Sequence, residues 1–294
     1  MKYLLLFTLA LLSSNAISQN EELVNNALEA YKEGSFLEAK SLIDESITFV
    51  ENDMSPKVWN FRGHIYKQLY KESIQDQGTS YRDEAVASFK KSCELSSDGQ
   101  YYPDNIKALE YLSATYFNDA VDSVLKLKYN GGDNPVQFFQ NFKELKLWLK
   151  PQEGVKAEEL MFLKMLAQSY EKIHTKHDSE DRESILKAIS YYEQALGLDA
   201  QDYEANFNLA IIHYNEGARL IGGISYKTGM DELISIQTRC VEYFRHALPF
   251  MKKAESLRPN RVESLKGLMF INRALNNFDI YLEYKSKLDE ILNN

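Results

Sequence analysis

The sequence predicts an all-helical chain made of antiparallel helical hairpins. Two observations carry this prediction. A motif of two small residues seven positions apart, with a large apolar residue between them, occurs four times along the chain. Upstream of each copy lies another segment with helical periodicity, which contains a further small residue. Because seven residues make two helical turns, the small residues of a copy share one face and let neighbouring helices approach closely.

The repeated motif has the same spacing in all four copies. The copies are Ala39, Ile43 and Ser46; Ala85, Phe89 and Ser92; Ala188, Tyr192 and Ala195; and Ala247, Met251 and Ala254. The small residues upstream of them are Ala27, Gly63, Ala167 and Ala210. One helical hairpin cannot bury its apolar stripe alone, so repeated hairpins are expected to stack and to share a continuous core.

The individual motifs resemble the tetratricopeptide repeat. Trp59, Gly63 and Tyr66 match the pattern of its first helix, and Arg258-Pro259-Asn260 matches the proline that ends a repeat. The resemblance covers nearly all of residues 20–294. It implies an all-α, right-handed superhelical solenoid of about six antiparallel hairpins, some of them extended. The stretch 244–254 is similar in style to exported repeat proteins of Bacteroidetes-type bacteria.

We expect a single solenoid over residues 19–294, in which the hairpin near 260–294 forms a C-terminal cap. The expected hairpins cover residues 20–51, 55–97, 103–150, 153–200, 202–258 and 260–294. The third departs most from the repeat, because Phe138 and Leu145 stand where small residues are expected. The last is also irregular, since Tyr281 stands at its small position.

Residues that start and end helices support these boundaries. Ser35 with Glu38, and Asn260 with Glu263, have the spacing of a capping box. Further boundary residues are Gly34 as a helix end, Pro56 and Pro135 at first helical positions, and Pro151 after a helix.

The fifth hairpin is much longer than the others. Its two small residues, Ala210 and Ala247, are 37 positions apart, whereas Ala27 and Ala39 are 12 apart. Apolar residues at helical spacing predict that its second helix begins early, near Met230. The tip at residues 222–229 is then either an additional contact surface or the end of a lengthened hairpin that packs on its neighbours.

The first eighteen residues have the features of a secretory signal peptide. A positively charged start precedes an apolar run over residues 3–12, and Ala16 and Ser18 fit cleavage before Gln19. The run is shorter than the roughly 20 residues that a membrane-spanning helix needs. We therefore expect an exported chain, periplasmic or secreted, without stable membrane insertion after cleavage; a retained anchor is the alternative.

The net charge narrows the possible partners. The formal net charge is −9, which argues against nucleic acid as a partner because such binding depends on basic surfaces.

The two cysteines, Cys93 and Cys240, fall in the second and fifth hairpins. Since each repeat contacts mainly its neighbours, we expect both to be free and buried rather than joined.

No catalytic or cofactor motif is found in the sequence. His174 and His177 lie near several acidic residues, which suggests either a metal-binding edge or an exposed helix connection. The other histidines, His64, His213 and His246, are interpreted as isolated structural residues. We therefore expect no cofactor and no enzymatic activity, with a metal-dependent enzyme as the remaining alternative.

The resemblance implies that the first helix of each hairpin lines a concave groove that binds a polypeptide. The groove positions carried over to this sequence are Tyr31, Asn60, His64, Lys67, Glu110, Phe117, Lys164, Gln168, Glu171, Phe207 and Tyr214. The expected function is a non-catalytic, protein-binding scaffold or adaptor in the cell envelope. Binding of a cell-wall glycan or another small envelope ligand is the alternative, suggested by the many tyrosines.

Overall fold

The computed structural model describes residues 20–73, 76–127, 134–176 and 182–293, and within these ranges every regular element is a helix. In chain order the described helices are α1 (20–32), α2 (Phe36–Ser46), α3 (Val50–Asp53), α4 (Pro56–Glu72), α5 (Asp76–Leu95), α6 (Tyr102–Leu125), α7 (Pro135–Leu149), α8 (Lys156–Lys176), α9 (Arg182–Leu198), α10 (Tyr203–Gly222), α11 (Met230–Leu257), α12 (Val262–Ala274) and α13 (Phe278–Asn293).

The helices pair into six hairpins, as the sequence predicts. The pairs are α1 with α2, α4 with α5, α6 with α7, α8 with α9, α10 with α11, and α12 with α13. The short helix α3 follows the first hairpin. Helix α11 begins at Met230, which confirms the early start predicted for the second helix of the fifth hairpin.

The described residues divide into two compact units. The first unit contains the described residues up to Asn118 together with Phe138–Gly154, and the second contains those of Asp119–Gln137 and from Val155 onward. A single array over residues 19–294 stays a prediction. The predicted signal peptide, residues 1–18, lies outside the described residues.

The repeated motif forms the centre of the core in both units. All twelve of its residues are at most 1% exposed. Gly63 shows why a small residue is needed opposite the motif, since a Cβ added there would lie 2.6 Å from the ring of Phe89. The motif therefore marks the closest helix crossings, as its spacing predicts.

The third hairpin replaces small residues with large ones for a visible reason. Arg82 of α5 is wholly buried, and its guanidinium lies 3.9 Å from the ring centre of Tyr116 and 5.6 Å from that of Phe138. Leu145 is buried on the same helix as Phe138. Large side chains here pack around an arginine, so close helix approach is not required.

The capping interactions differ from the predictions. Ser35 is the N-cap of α2, but its side chain makes no capping hydrogen bond. The box predicted for Asn260 and Glu263 is wrong, because α12 begins only at Val262, after the N-cap Arg261. Asn260 instead adopts a left-handed φ of 63°, and its N–H donates to the Glu255 carboxylate at 2.8 Å.

The other predicted boundary residues are confirmed. Gly34 has a φ of 82°, the left-handed conformation expected after a helix. Pro56 and Pro135 are the first residues of α4 and α7, where a missing N–H costs nothing. Pro151 follows the last residue of α7, Leu149.

The far end of the fifth hairpin stands apart from the core. No residue is buried between Gly217 of α10 and Cys240 of α11. The tip residue Tyr226 is 93% exposed. At the tip itself, residues 222–227 are exposed rather than packed on neighbouring hairpins, and a role as a contact surface stays a prediction.

The second helix of the last hairpin buries few side chains. On α13 only Leu288 is buried, against Leu265 and Met269 of α12. Tyr281, at the position of a small residue, is partly buried in the same cluster. A side chain at this position is tolerated because α13 is packed on one side only.

Cys93 and Cys240 are free and buried, as predicted. Over the described ranges, no helix is both long and apolar enough to span a bilayer.

Candidate protein-binding face

The predicted contact residues lie on the first helices of the hairpins, at fixed offsets from the small residue. We call the positions three before, one after and four after that residue the first-helix face. The predicted contact residues at these positions in the first unit are Tyr31, Asn60, His64, Lys67, Glu110 and Phe117. In the second unit they are Lys164, Gln168, Glu171, Phe207 and Tyr214. The structure shows what each side chain contacts, whereas the assignment of the set to partner binding stays a prediction.

Asn60 and His64 of α4 bind the start of α6. The Asn60 amide donates to Asn105 Oδ1 at 2.8 Å and to Asp104 Oδ2 at 3.2 Å. His64 Nε2 lies 2.6 Å from the same Asp104 oxygen. Burial lowers the pKa of His64, and the carboxylate of Asp104 only partly opposes this. Both side chains therefore connect two successive first helices.

Lys67, one turn further along α4, has no carboxylate partner. Lys67 Nζ lies 5.6 Å from the ring centre of Phe89, and Lys71 Nζ lies 5.3 Å from that of Tyr111. Over the described part of the chain, neither lysine forms an ion pair. Burial lowers the pKa of Lys67, the adjacent charge of Lys71 lowers it further, and the carboxylate of Asp104 partly opposes both. The tyrosine is 44% exposed. We call Lys67, Lys71 and Tyr111 the lysine patch.

The three remaining positions of the first unit have partners within the fold. Glu110 pairs with Lys150 across an exposed 3.2 Å ion pair. The Tyr31 ring lies edge-on to Phe36, with centroids 5.3 Å apart. The Phe117 and Phe142 rings have centroids 4.8 Å apart. The rings of Tyr31 and Phe117 thus pack between helices.

Lys164 of the second unit occupies the same repeat position as Asn60 and has the same structural role. Its ammonium pairs with Asp202 at 2.9 Å and with Glu204 at 2.8 Å, both at the start of α10. Asp202 also caps α10 by accepting a hydrogen bond from Ala205 N–H at 2.7 Å. The lysine is therefore neutralised inside the fold.

Two aromatic positions of the second unit are also used in packing. Phe207 stacks on Tyr203 with centroids 5.8 Å apart. The Tyr214 and Phe244 centroids are 5.5 Å apart. Gln168 is exposed.

Glu171 borders a cavity of about 290 Å³ in the second unit. The cavity is lined by Glu171, His174, Thr175, Ile185, Ile212, Asn215, Glu216 and Arg219. Burial raises the pKa of Glu171, and the nearby charges of His174 and Lys172 only partly offset it. Over the described residues, no hydrogen bond or ion pair reaches its carboxylate.

Glu216 is the best-satisfied carboxylate in this cavity. Arg219 Nη2 lies 2.9 Å from Glu216 Oε2, and His174 Nε2 lies 3.3 Å from its Oε1. His174 and Glu216 are 7% and 5% exposed. The charge of Arg219 is therefore already paired.

His174 differs from its predicted surroundings. It lies inside α8 and is buried against Glu216, so an exposed connection is wrong for this residue. His177 lies outside the described residues. Over the described ranges, no group of three or more His, Cys, Asp or Glu side chains has the geometry of a metal site.

The remaining histidines are not isolated from other groups. The rings of His213 and His246 have centroids 5.6 Å apart. Burial and the neighbouring His246 lower the pKa of His213 to about 4. His64, described above, pairs with Asp104.

Sequence reasoning missed Lys71, Tyr111, Glu216 and Arg219. Lys71 follows Lys67 by four positions, so helical spacing alone could have identified it. Glu216 lies 42 positions from His174, and no local pattern connects them.

Several solved structures of helical-repeat proteins are similar to this chain over most of its length. A TPR repeats protein from Bacteroides fragilis is 16% identical, with 87% of this chain and 98% of that chain covered and a TM-score of 0.44. PilF from Pseudomonas aeruginosa is 9% identical, covering 93% and 92%, with a TM-score of 0.31. The TPR2AB domain of yeast Sti1, solved with pHSP90, is 13% identical, covering 92% and 90%, with a TM-score of 0.29.

The predicted all-helical architecture of antiparallel hairpins is confirmed by the described helices themselves. No family model matches the sequence, and no curated protein matches it either. At these identities the likeness concerns the fold alone, and the functional argument rests on the side chains of this chain.

Proposed function

We propose that the mature chain is a non-catalytic scaffold of the cell envelope that binds an acidic segment of a protein partner. The lysine patch carries this proposal. Lys67 and Lys71 repel each other, and no carboxylate of the described chain pairs with either. An anionic partner group would relieve that repulsion, and Tyr111 offers apolar area beside it.

The envelope location rests on the predicted signal peptide. A chain with a net charge of −9 gains little from a general attraction to acidic proteins. A local pair of unneutralised lysines therefore favours one class of contact, an acidic segment placed directly on the patch.

The glycan alternative has weaker support. Tyr66, Tyr116 and Tyr192 are buried, so most of their area cannot stack on a sugar. Isothermal titration with cell-wall fragments tests this alternative, and binding at Tyr111 without any protein partner would favour it.

The proposal is tested by crosslinked co-purification of the tagged mature protein from native envelopes, read by mass spectrometry. We expect one dominant protein whose crosslinks map to α4 and α6. The double variant Lys67→Glu with Lys71→Glu should recover at least about tenfold less of it, because the acidic segment then meets like charges.

The matched control is Lys252→Glu with Lys285→Glu, which reverses two exposed lysines on second helices. This control should recover the partner within about twofold of the wild type. Equal losses in both double variants would indicate a general charge effect and contradict the role of the patch. The absence of any enriched protein would contradict the scaffold function itself.

A further inference from the structure

The cavity beside Glu171 has an unusual balance of charge. It contains two carboxylates, Glu171 and Glu216, and one permanent cation, Arg219. The cation is paired with Glu216 at 2.9 Å. Since that pair sets the charge of Arg219 against Glu216, the Glu171 carboxylate remains as a second acidic group of the lining.

The unpartnered carboxylate is also reachable. Glu171 is partly exposed, and the cavity of about 290 Å³ opens beside it. This volume is at the lower end of the range of ligand cavities, which suits a single side chain or a small molecule. The lining does not favour an anionic ligand, because its one arginine, Arg219, already forms an ion pair with Glu216.

The remaining walls define the rest of the ligand. Ile185 and Ile212 are buried and present aliphatic surface to the cavity. Thr175 and Asn215 add a hydroxyl and an amide, each of which can accept a hydrogen bond. An ammonium ion has three donors and a flexible aliphatic stem, which matches acceptors set beside apolar walls.

We infer that this cavity binds a primary alkylammonium group, with the ammonium on the Glu171 carboxylate and the alkyl stem between Ile185 and Ile212. Two sources have this chemistry, a free aliphatic amine and the side chain of a lysine in a bound polypeptide. The lysine source rests on the proposed function, whereas the free amine does not.

The test is isothermal titration of the mature protein at neutral pH with two probes. The first is n-pentylamine hydrochloride, and the second is a short peptide with one central lysine and blocked ends. The variant Glu171→Gln keeps the shape of the side chain and removes its charge. Glu193→Gln on the exposed side of α9 is the matched control.

We expect at least one probe to bind, with affinity at least about tenfold weaker in Glu171→Gln and within about twofold in Glu193→Gln, since charge-assisted hydrogen bonds are the strong ones. Binding of pentylamine alone assigns the site to free amines. Binding of the peptide alone assigns it to a partner's lysine, and binding of both leaves the ammonium group itself as the ligand.

The inference is overturned if neither probe binds the wild type, or if Glu171→Gln binds within about twofold of it. Thermal unfolding of the variant, read alongside, verifies that Glu171→Gln is folded. Co-purification of the partner distinguishes this failure from failure of the proposed function. If the partner is recovered normally but neither probe binds, the scaffold function is kept and the ammonium site is rejected.

Discussion

Lys67 in the first unit and Glu171 in the second occupy the same repeat position, four residues after a small residue of a first helix, yet they carry opposite charges. Neither has an ion-pair partner among the described residues. Two turns earlier on each helix, Asn60 and Lys164 both bind an aspartate at the start of the next first helix.

The comparison separates two uses of one helix face. In the second and fourth hairpins, the position three before the small residue bonds the start of the next first helix, so its polar group is satisfied inside the fold. In these two hairpins the position four after it carries a charge without an ion-pair partner, whereas Tyr31, Phe117 and Tyr214 pack there in the others. Uncompensated, partly buried charges are costly, and they are retained mainly where a ligand can use them.

Removing the Arg62 ion pairs of the first unit should give the largest change in the free energy of unfolding. Arg62 bonds Asp44 and Glu84, each at 2.8 Å, and its side chain is only 9% exposed. Arg62→Met removes the buried cation from both carboxylates, although Asp44 keeps its ion pair with Lys40 at 3.1 Å. We expect a loss of about 3 kcal/mol, less than for a fully buried pair because the acids are partly exposed. Hydrogen exchange read separately in each unit measures it.

The control for this prediction is Lys150→Met, which breaks the exposed pair with Glu110. That change should cost much less than Arg62→Met, because the pair is exposed to solvent. Equal costs for the two variants would show that burial of the arginine does not matter.

Acid should weaken the second unit through His213. Its pKa is lowered to about 4, so the unfolded chain binds the proton more readily, and stability falls as the pH drops from about 6.5 to 4. We expect a loss of about 2 kcal/mol, reduced by partial solvent exposure of the ring. His213→Gln should flatten this part of the pH profile in hydrogen exchange.

The first unit responds to the same pH change through different groups. Burial opposes ionisation of Asp44, but its hydrogen bonds from Tyr66 and Arg62 dominate and lower its pKa. Its contribution is present above the unfolded value near 4 and is lost below it. The pKa of His64 is also lowered, so His64→Gln should remove a smaller loss between 6.5 and 4. If stability between pH 6.5 and 4 fell more in the first unit than in the second, His213 would not be the main source of the acid sensitivity.

Close packing provides a third contrast. A Cβ at Gly63 would meet the buried ring of Phe89 at 2.6 Å, whereas one at Gly267 would meet the end of the Met251 side chain at 2.4 Å. We expect Gly63→Ala to cost about 1–2 kcal/mol and Gly267→Ala less, because methionine can change rotamer and a packed ring cannot. Urea denaturation of both variants tests the order.

Loss of the Lys164 ion pairs in the second unit should give the smallest change in the free energy of unfolding. Lys164→Met removes the ammonium that pairs with Asp202 and Glu204, which are partly exposed. We expect a cost of about 1 kcal/mol, since the carboxylates regain water and Asp202 keeps its capping hydrogen bond. If Lys164→Met cost as much as Arg62→Met in the same measurement, the ion pairs of Lys164 would contribute as much stability as those of Arg62.

The parts of the fold that follow a local period could be predicted from sequence. The small residues flanking Ile43 and Tyr192 are buried because the seven-residue spacing matches two helical turns. Capping hydrogen bonds were less predictable. Ser35 has a suitable hydroxyl, but the conformation of the turn sets where this hydroxyl lies, and it makes no capping hydrogen bond.

The candidate site could be predicted only in part. Lys67 and Glu171 were found from the repeat position, but the contacts that leave them unpaired were not. Partners on successive first helices are separated by a whole hairpin, for example 40 positions between His64 and Asp104. Insertions change that separation from one hairpin to the next, so the sequence does not fix which side chains meet.

The exposed end of the fifth hairpin has a consequence for how the chain can vary. Residues 222–227 at the tip are all exposed, so their length and identity can change more freely than those of the core helices. Shortening this tip or replacing it with a foreign loop should leave the packing of the hairpin cores unchanged. The same freedom allows this segment to diverge faster than any other described part of the protein.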